Sequence, residues 1–166
     1  MPAGNPTEIL LAHNEWATRN ILIACEPLTP EQFHRRFEMG PGSLHDTATH
    51  LLGSTRGWAD MLAGREERPR LESTQQQRTT AELLALFDEI FTDFAAIAKA
   101  HPLEEPVTRS RGGKSYTFTR GGVLTHVTTH AMHHRAQCLN MLRHVGVNPL
   151  PKSSVLEWMI AGEEKR

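Results

Sequence analysis

Histidine recurs every four residues at His126, His130 and His134, within Leu124-Thr125-His126-Val127-Thr128-Thr129-His130-Ala131-Met132-His133-His134-Arg135-Ala136-Gln137. On an α-helix, positions four apart share one face and lie about 6 Å apart along the axis. Two imidazoles so placed can chelate one ion, and imidazole suits zinc, copper, iron or nickel. The HExxH metalloprotease helix uses the same spacing, but its glutamate is missing here. A catalytic zinc takes three protein ligands and keeps one position open, so a third ligand must come from another segment. His50 is the leading donor because it lies mid-helix beside an apolar stripe; His45 and His13 are the alternatives. Spacing leaves open whether His126/His130 or His130/His134 form the pair. The competing reading is ordinary: a mid-helix histidine is usually a surface or hydrogen-bonded core residue. Ten histidines in 166 residues, five of them between His126 and His144, weigh against it.

Four long helical stretches would position these residues. The first runs from about Thr7 to Glu26, with Asn5 as cap, Pro6 in the first turn and Pro27 as stop. Its apolar stripe reads Ile9, Ala12, Trp16 and Leu22 or Ile23. A short turn of helix follows over Thr29–Phe33. Met39-Gly40-Pro41-Gly42 is a break, after which Ser43 opens the second long helix, lined by Leu44, Ala48, Leu51, Leu52, Thr55, Trp58, Met61 and Leu62. Gly64 ends it. The polar stretch Arg65–Arg78 reads as a linker. Thr79 with Glu82 forms a capping box for the third helix, whose face is Leu83, Leu84, Phe87, Ile90, Phe91, Phe94, Ile97 and Ala98. His101-Pro102 stops it. Arg109–Thr119 has the pattern of a small hairpin turning at Gly112-Gly113. The fourth helix spans about Arg120 to His144, and Ser153 or Ser154 starts a short last helix through Leu156, Trp158 and Met159. Four amphipathic helices without a repeat make the expected fold an all-α four-helix bundle, one domain over 1–166. The long second and third loops allow crossovers.

Bulk numbers set limits. The chain is long enough to bury a real core, its net charge is −1, and 22% of its residues are charged. A nucleic-acid binder would show a basic surplus or stripe, and neither is present. Arg65-Glu66-Glu67-Arg68 and the tail Glu163-Glu164-Lys165-Arg166 mix signs, as solvated surface does. No apolar stretch approaches the roughly 20 residues that span a bilayer. Without a leader-like start, and with two distant cysteines, Cys25 and Cys138, the expectation is a cytoplasmic protein with free thiols and no membrane partner.

Other residues read as structural. Trp16 and Trp58 are expected in the core, Arg135 on the surface rather than as an anion clamp, and Cys138 as a buried inert thiol. Gln137 can either hydrogen-bond a ligand imidazole or pack. Glu31-Gln32-Phe33-His34 is one Glu-x-x-His unit, and a di-iron bundle needs two. Asp46 suits a helix N-terminus.

The segment His126-Val127-Thr128-Thr129-His130-Ala131-Met132-His133-His134-Arg135-Ala136-Gln137 resembles the HVxNHxxxHRGQ pattern of the DinB/YfiT-like family of metal-dependent enzymes. His13-Asn14-Glu15-Trp16-Ala17 is similar to that family's YNxWA. Ser43-Leu44 through His50-Leu51-Leu52-Gly53, then Trp58, resembles its second helix, and Gly146 to Pro151 its G-x-x-P close. The pieces cover nearly the whole chain in order. Thr129 replaces the usual Asn, Ala136 the usual Gly, and Thr55 a frequent acidic residue. The resemblance implies a four-helix bundle, often a homodimer, with one divalent metal on His50, His130 and His134. Zinc or nickel come first, with iron, cobalt and manganese as the other choices. It also implies action on a small-molecule substrate, in some relatives with a low-molecular-weight thiol such as mycothiol or bacillithiol in transfer or isomerisation. Hydrolysis and a non-enzymatic metal-binding role are the alternatives. His126 and Arg135 become the candidate assisting residues. The lesion-bypass polymerase that shares the family's name has a size and charge this chain lacks.

Overall fold

Each long helix begins at a polar cap that takes up amides left free by the first turn. Asn5 accepts from the Thr7 amide and Pro6 fills the first turn of α1 (Pro6–Cys25). Thr29 and Gln32 box the short α2 (Pro30–Phe33). Ser43 accepts from the Asp46 amide at the start of α3 (Leu44–Leu62). Thr79 and Glu82 box α4 (Thr80–Lys99) as the sequence predicts. Thr119 caps α5 (Arg120–His144), and Ser154 with Glu157 boxes α6 (Val155–Glu163). The computed structural model describes residues 4–164; residues 1–3, and Lys165 and Arg166 of the mixed-charge tail, lie outside the described residues.

The four long helices form a bundle in which α1 and α3 each pack against both α4 and α5. The pairs α1/α3 and α4/α5 are therefore diagonal. Crossovers fall on the first and third connections, whereas the second joins neighbours. The third connection holds β1 (Pro106–Arg111) and β2 (Lys114–Thr119), an antiparallel hairpin with Arg111 opposite Lys114. It starts three residues earlier than the turn signal suggests. Among the described residues, no helix is long and apolar enough to cross a membrane.

The core is built from Leu44, Leu51, Leu52 and Leu62 of α3, Leu83, Phe87, Ile90 and Phe94 of α4, and Val123, Leu124, Val127, Met141 and Leu142 of α5. Those faces match the apolar periodicity. On α1 the expected stripe is rotated. Leu11, Ala17, Ile21, Leu22 and Cys25 are buried together with His13, Asn14 and Thr18, while Trp16 is only half-buried and Ile23 is exposed. The physical reason is polar: Asn14 and Thr18 face inward because both accept hydrogen bonds from Arg135, which is 2% exposed. The expectation of a surface Arg135 is thereby overturned.

The stretch expected to be a plain linker is a fastened strap. Buried Asp60 accepts from the Arg68 side chain at 2.8–3.2 Å. Arg56 donates to the Pro69 carbonyl. Leu71 is buried in the core and anchors a 3-10 turn, Leu71–Thr74.

Candidate metal centre

α3 and α5 are packed neighbours, so His50 of α3 meets His130 and His134 of α5. One ring nitrogen from each lies within 4.8 Å of the others. His130 Nε2 and His134 Nε2 are 3.1 Å apart. The His50 ring centroid is 5.3 Å from that of His130 and 4.7 Å from that of His134. The three sequence-predicted ligands are therefore brought together, with the pair at His130/His134. His126 lies one turn away, its ring 5.5 Å from His130 and 4.9 Å from Trp58.

The two alternative donors are engaged elsewhere. His13 Nε2 bonds the Ser153 carbonyl at 2.9 Å, and its ring lies between Trp16 and Trp158, holding α6 against α1. His45 Nδ1 bonds Asp46 at 3.0 Å, and its Nε2 accepts from the Arg78 amide at 3.1 Å.

The ring nitrogens that point away from the shared point are fixed by partners. His50 Nδ1–H donates to Glu72 Oε1 at 2.7 Å. His134 Nδ1–H donates to Gln137 Oε1 at 2.8 Å. Such bonds place the proton on Nδ1, leave the Nε2 lone pair facing inward and make imidazole a better donor. Gln137 therefore does bond a candidate ligand, and through Nε2 it also reaches His133 at 3.1 Å. Burial, reinforced by the neighbouring His134 and His50, pushes the His130 imidazole down to about 4. Burial likewise lowers His134. Both rings are thus neutral near pH 7, the state a metal needs. Three imidazoles converging from two helices fit a borderline divalent cation.

Glu72 is the residue that the sequence hid. It sits in the 3-10 turn beside Leu71, and only the burial of that lone apolar side chain brings the carboxylate to His50. Gly53, three residues after His50, leaves the room: a Cβ there would stand 2.7 Å from Glu72 Oε2. Gly40, at φ +50°, similarly leaves room for Gln137. We expect Glu72→Gln to weaken cation binding about 10–100-fold, the usual consequence of disturbing an outer hydrogen-bond partner. Gly53→Ala, which pushes Glu72 aside without touching its charge, should do the same. Competitive titration with a chromophoric chelator reads both; unchanged affinity in the pair would remove Glu72 from the centre.

The low His130 value has a consequence for the metal-free fold. Its folded value lies below the ordinary 6.5, so the unfolded chain takes up a proton that the folded chain refuses. Stability is then present above about pH 6.5 and is lost as pH falls through about 4. Urea midpoints of chelator-treated protein should fall more steeply between pH 7 and 5 for the native chain than for His130→Gln. Parallel slopes would contradict the assignment.

A cleft of about 230 Å³ opens against His50, with His126, Trp58, Arg70 and Arg109 in its walls. Trp58 is thus a wall of this cleft as well as a partner of the core: half-buried, it touches His126 and Phe118, and the Arg109 guanidinium lies 5.3 Å from its ring centroid. Arg135, in contrast, does not line the cleft. It is buried between α1 and α5, and its guanidinium is pulled down to about 10 by that burial.

The helical fold agrees with what the chain is similar to. The family model described as "DinB family" matches residues 3–164. The chain belongs to the DinB family. Protein DinB of Bacillus subtilis (strain 168) is 22% identical over 164 residues, covering 94% of this chain and 95% of that one. Among solved structures, a DinB-like protein of Bacillus subtilis, YjoA, superposes with a TM-score of 0.63 at 17% identity, over 87% of this chain and 96% of that one. That structural likeness shows the shared DinB helical fold.

Proposed function

We propose that this DinB-family chain binds one divalent cation, zinc or nickel first, on His50, His130 and His134, and is a metal-dependent enzyme on small molecules of the thiol-transfer or thiol-isomerisation type. The observation that carries the reading is the convergence of three imidazoles, one of which, His50, lines an open cleft. A closed shell of protein ligands would suit a structural ion; a cleft suits chemistry. Bound there, a divalent cation would supply Lewis acidity, lowering the pKa of a thiol or water that reaches it.

The chain's own residues define the rest. Cys25 and Cys138 are buried, and burial pushes both thiols up, Cys138 to about 12. Neither can serve as a thiolate, so a thiol must arrive as a small cosubstrate. Glu72 and Gln137 hold two of the three imidazoles in orientation. His126, exposed at the cleft, is placed to carry a proton to or from a bound molecule. Arg135 is withdrawn from that role by its position.

The test is metal content by mass spectrometry on protein purified without chelators, followed by an assay of thiol loss with a small electrophile. About one equivalent of cation per chain and metal-dependent thiol consumption would support the reading. Metal-dependent ester hydrolysis without thiol consumption would replace the transferase by a hydrolase. No cation as purified and none on titration would overturn it.

A further inference from the structure

Three arginines, Arg68, Arg70 and Arg109, line the cleft that opens on His50. Arg68 is committed to buried Asp60. Arg109 is paired with Glu67, whose side chain is 47% exposed. Arg70 stands at the rim, exposed, and its guanidinium makes no hydrogen bond or ion pair among the described residues. Of the two carboxylates in the lining, Glu67 is the one on Arg109, and Glu72 bonds His50 instead. Trp58 also lines the cleft, with the Arg109 guanidinium over its ring and His126 in edge contact.

A free guanidinium in a cleft that an aromatic ring also lines is chemistry for an anion carried on a planar body. The fork of Arg70 matches the two oxygens of a carboxylate or phosphoryl group. Arg109 is held over Trp58 with its side chain 18% exposed, whereas its partner Glu67 is 47% exposed and can turn to solvent when an oxyanion takes its place on the guanidinium. The cavity, about 230 Å³, has room for a single ring or a short chain and not for a polymer.

We propose that this cleft recognises a small organic oxyanion, with its charge on Arg70 and Arg109 and its body against Trp58. This names the substrate class of the proposed enzyme and rests on that reading only for what happens after binding; the anion site itself is built by side chains that are not among the candidate metal ligands.

The test is a tryptophan-fluorescence titration with benzoate, phenyl phosphate and the neutral benzamide. It is run at low salt on the protein as purified and again after chelator treatment. The native chain is expected to bind one of the two anions at least about tenfold more tightly than benzamide, and the preference between them identifies carboxylate or phosphoryl as the group read. Exposed Arg70→Gln should weaken anion binding about three- to fivefold, the scale of a charge-assisted pair at an exposed rim. Arg143→Gln, an exposed arginine outside the cleft, should leave it unchanged, and added salt should weaken it. Equal binding of anion and amide would overturn the proposal, as would equal effects of the two arginine variants. An anion preference that disappears with the chelator would also overturn it, since the charge would then be read by the metal. A chain that takes up no cation yet keeps the Arg70-dependent preference would refute the metal reading and leave this one standing.

Discussion

The His130→Ala/His134→Ala double variant should lose cation binding by more than about a thousandfold and still fold. Disturbing an outer partner of a ligand costs about 10–100-fold in affinity. Removing a ligand outright costs more, and this variant removes two of three. The fold should survive because both positions lie mid-helix on α5, where alanine is the best helix former. Neither side chain belongs to the apolar core cluster, and His130 is only half-buried, so the space vacated lies outside the packed centre of the bundle. Native protein with the cation at about a hundred times its dissociation constant should gain roughly 2.7 kcal/mol. That corresponds to a rise of about 5–10 °C in Tm for a chain of this size. The double variant should show no rise, with a helical circular-dichroism spectrum like that of the native chain. If the variant still takes up one equivalent, the cation sits elsewhere. If it unfolds, His134→Gln is the milder probe: it keeps a polar side chain next to Gln137 and removes the imidazole.

The parts of this site that were readable in the sequence are those with a period. His130 and His134 repeat at four residues, and the leucines of α3 place His50 at mid-helix beside them. Helix boundaries are readable at Ser43 and Thr79, and to within one residue at Ser154, because capping is local chemistry. What the pattern could not show is what comes from contacts distant in sequence. Glu72 lies in a polar run of glutamines and arginines and gains its place only when Leu71 is buried. Trp58 has the spacing of a core residue, yet the hairpin that brings Arg109 onto its face makes it part of the cleft. Arg70 is one charge in a polar linker until the strap fixed by Asp60 and Arg56 sets it at the cleft rim. The rotated face of α1 failed for the same reason: Asn14 and Thr18 look like surface residues unless Arg135, some 120 positions later, is known to be inside.

Arg135 yields the second large effect. A buried arginine without a carboxylate partner is costly, and here its acceptors are the Asn14 side-chain oxygen and, at 3.1 Å, the Thr18 hydroxyl. Its Nε has no partner among the described residues. Arg135→Ala removes the charge together with a side chain that fills the gap between α1 and α5, and it leaves Asn14 short of a donor. Cavity and unpaired-polar terms together put the cost at about 3–5 kcal/mol, or a Tm lower by roughly 10 °C. Arg135→Met keeps most of the volume and should cost clearly less, since an apolar replacement of a buried charge is often tolerated. Adding Asn14→Leu to the methionine variant removes the stranded acceptor and should recover stability further, a coupling visible in a double-mutant cycle of urea midpoints. In the methionine variant cation uptake and anion binding should be unchanged, because Arg135 reaches neither His50 nor the cleft. A methionine variant of native stability that loses either would return Arg135 to the functional site; an alanine variant of native stability would show that its buried hydrogen bonds contribute nothing to the bundle.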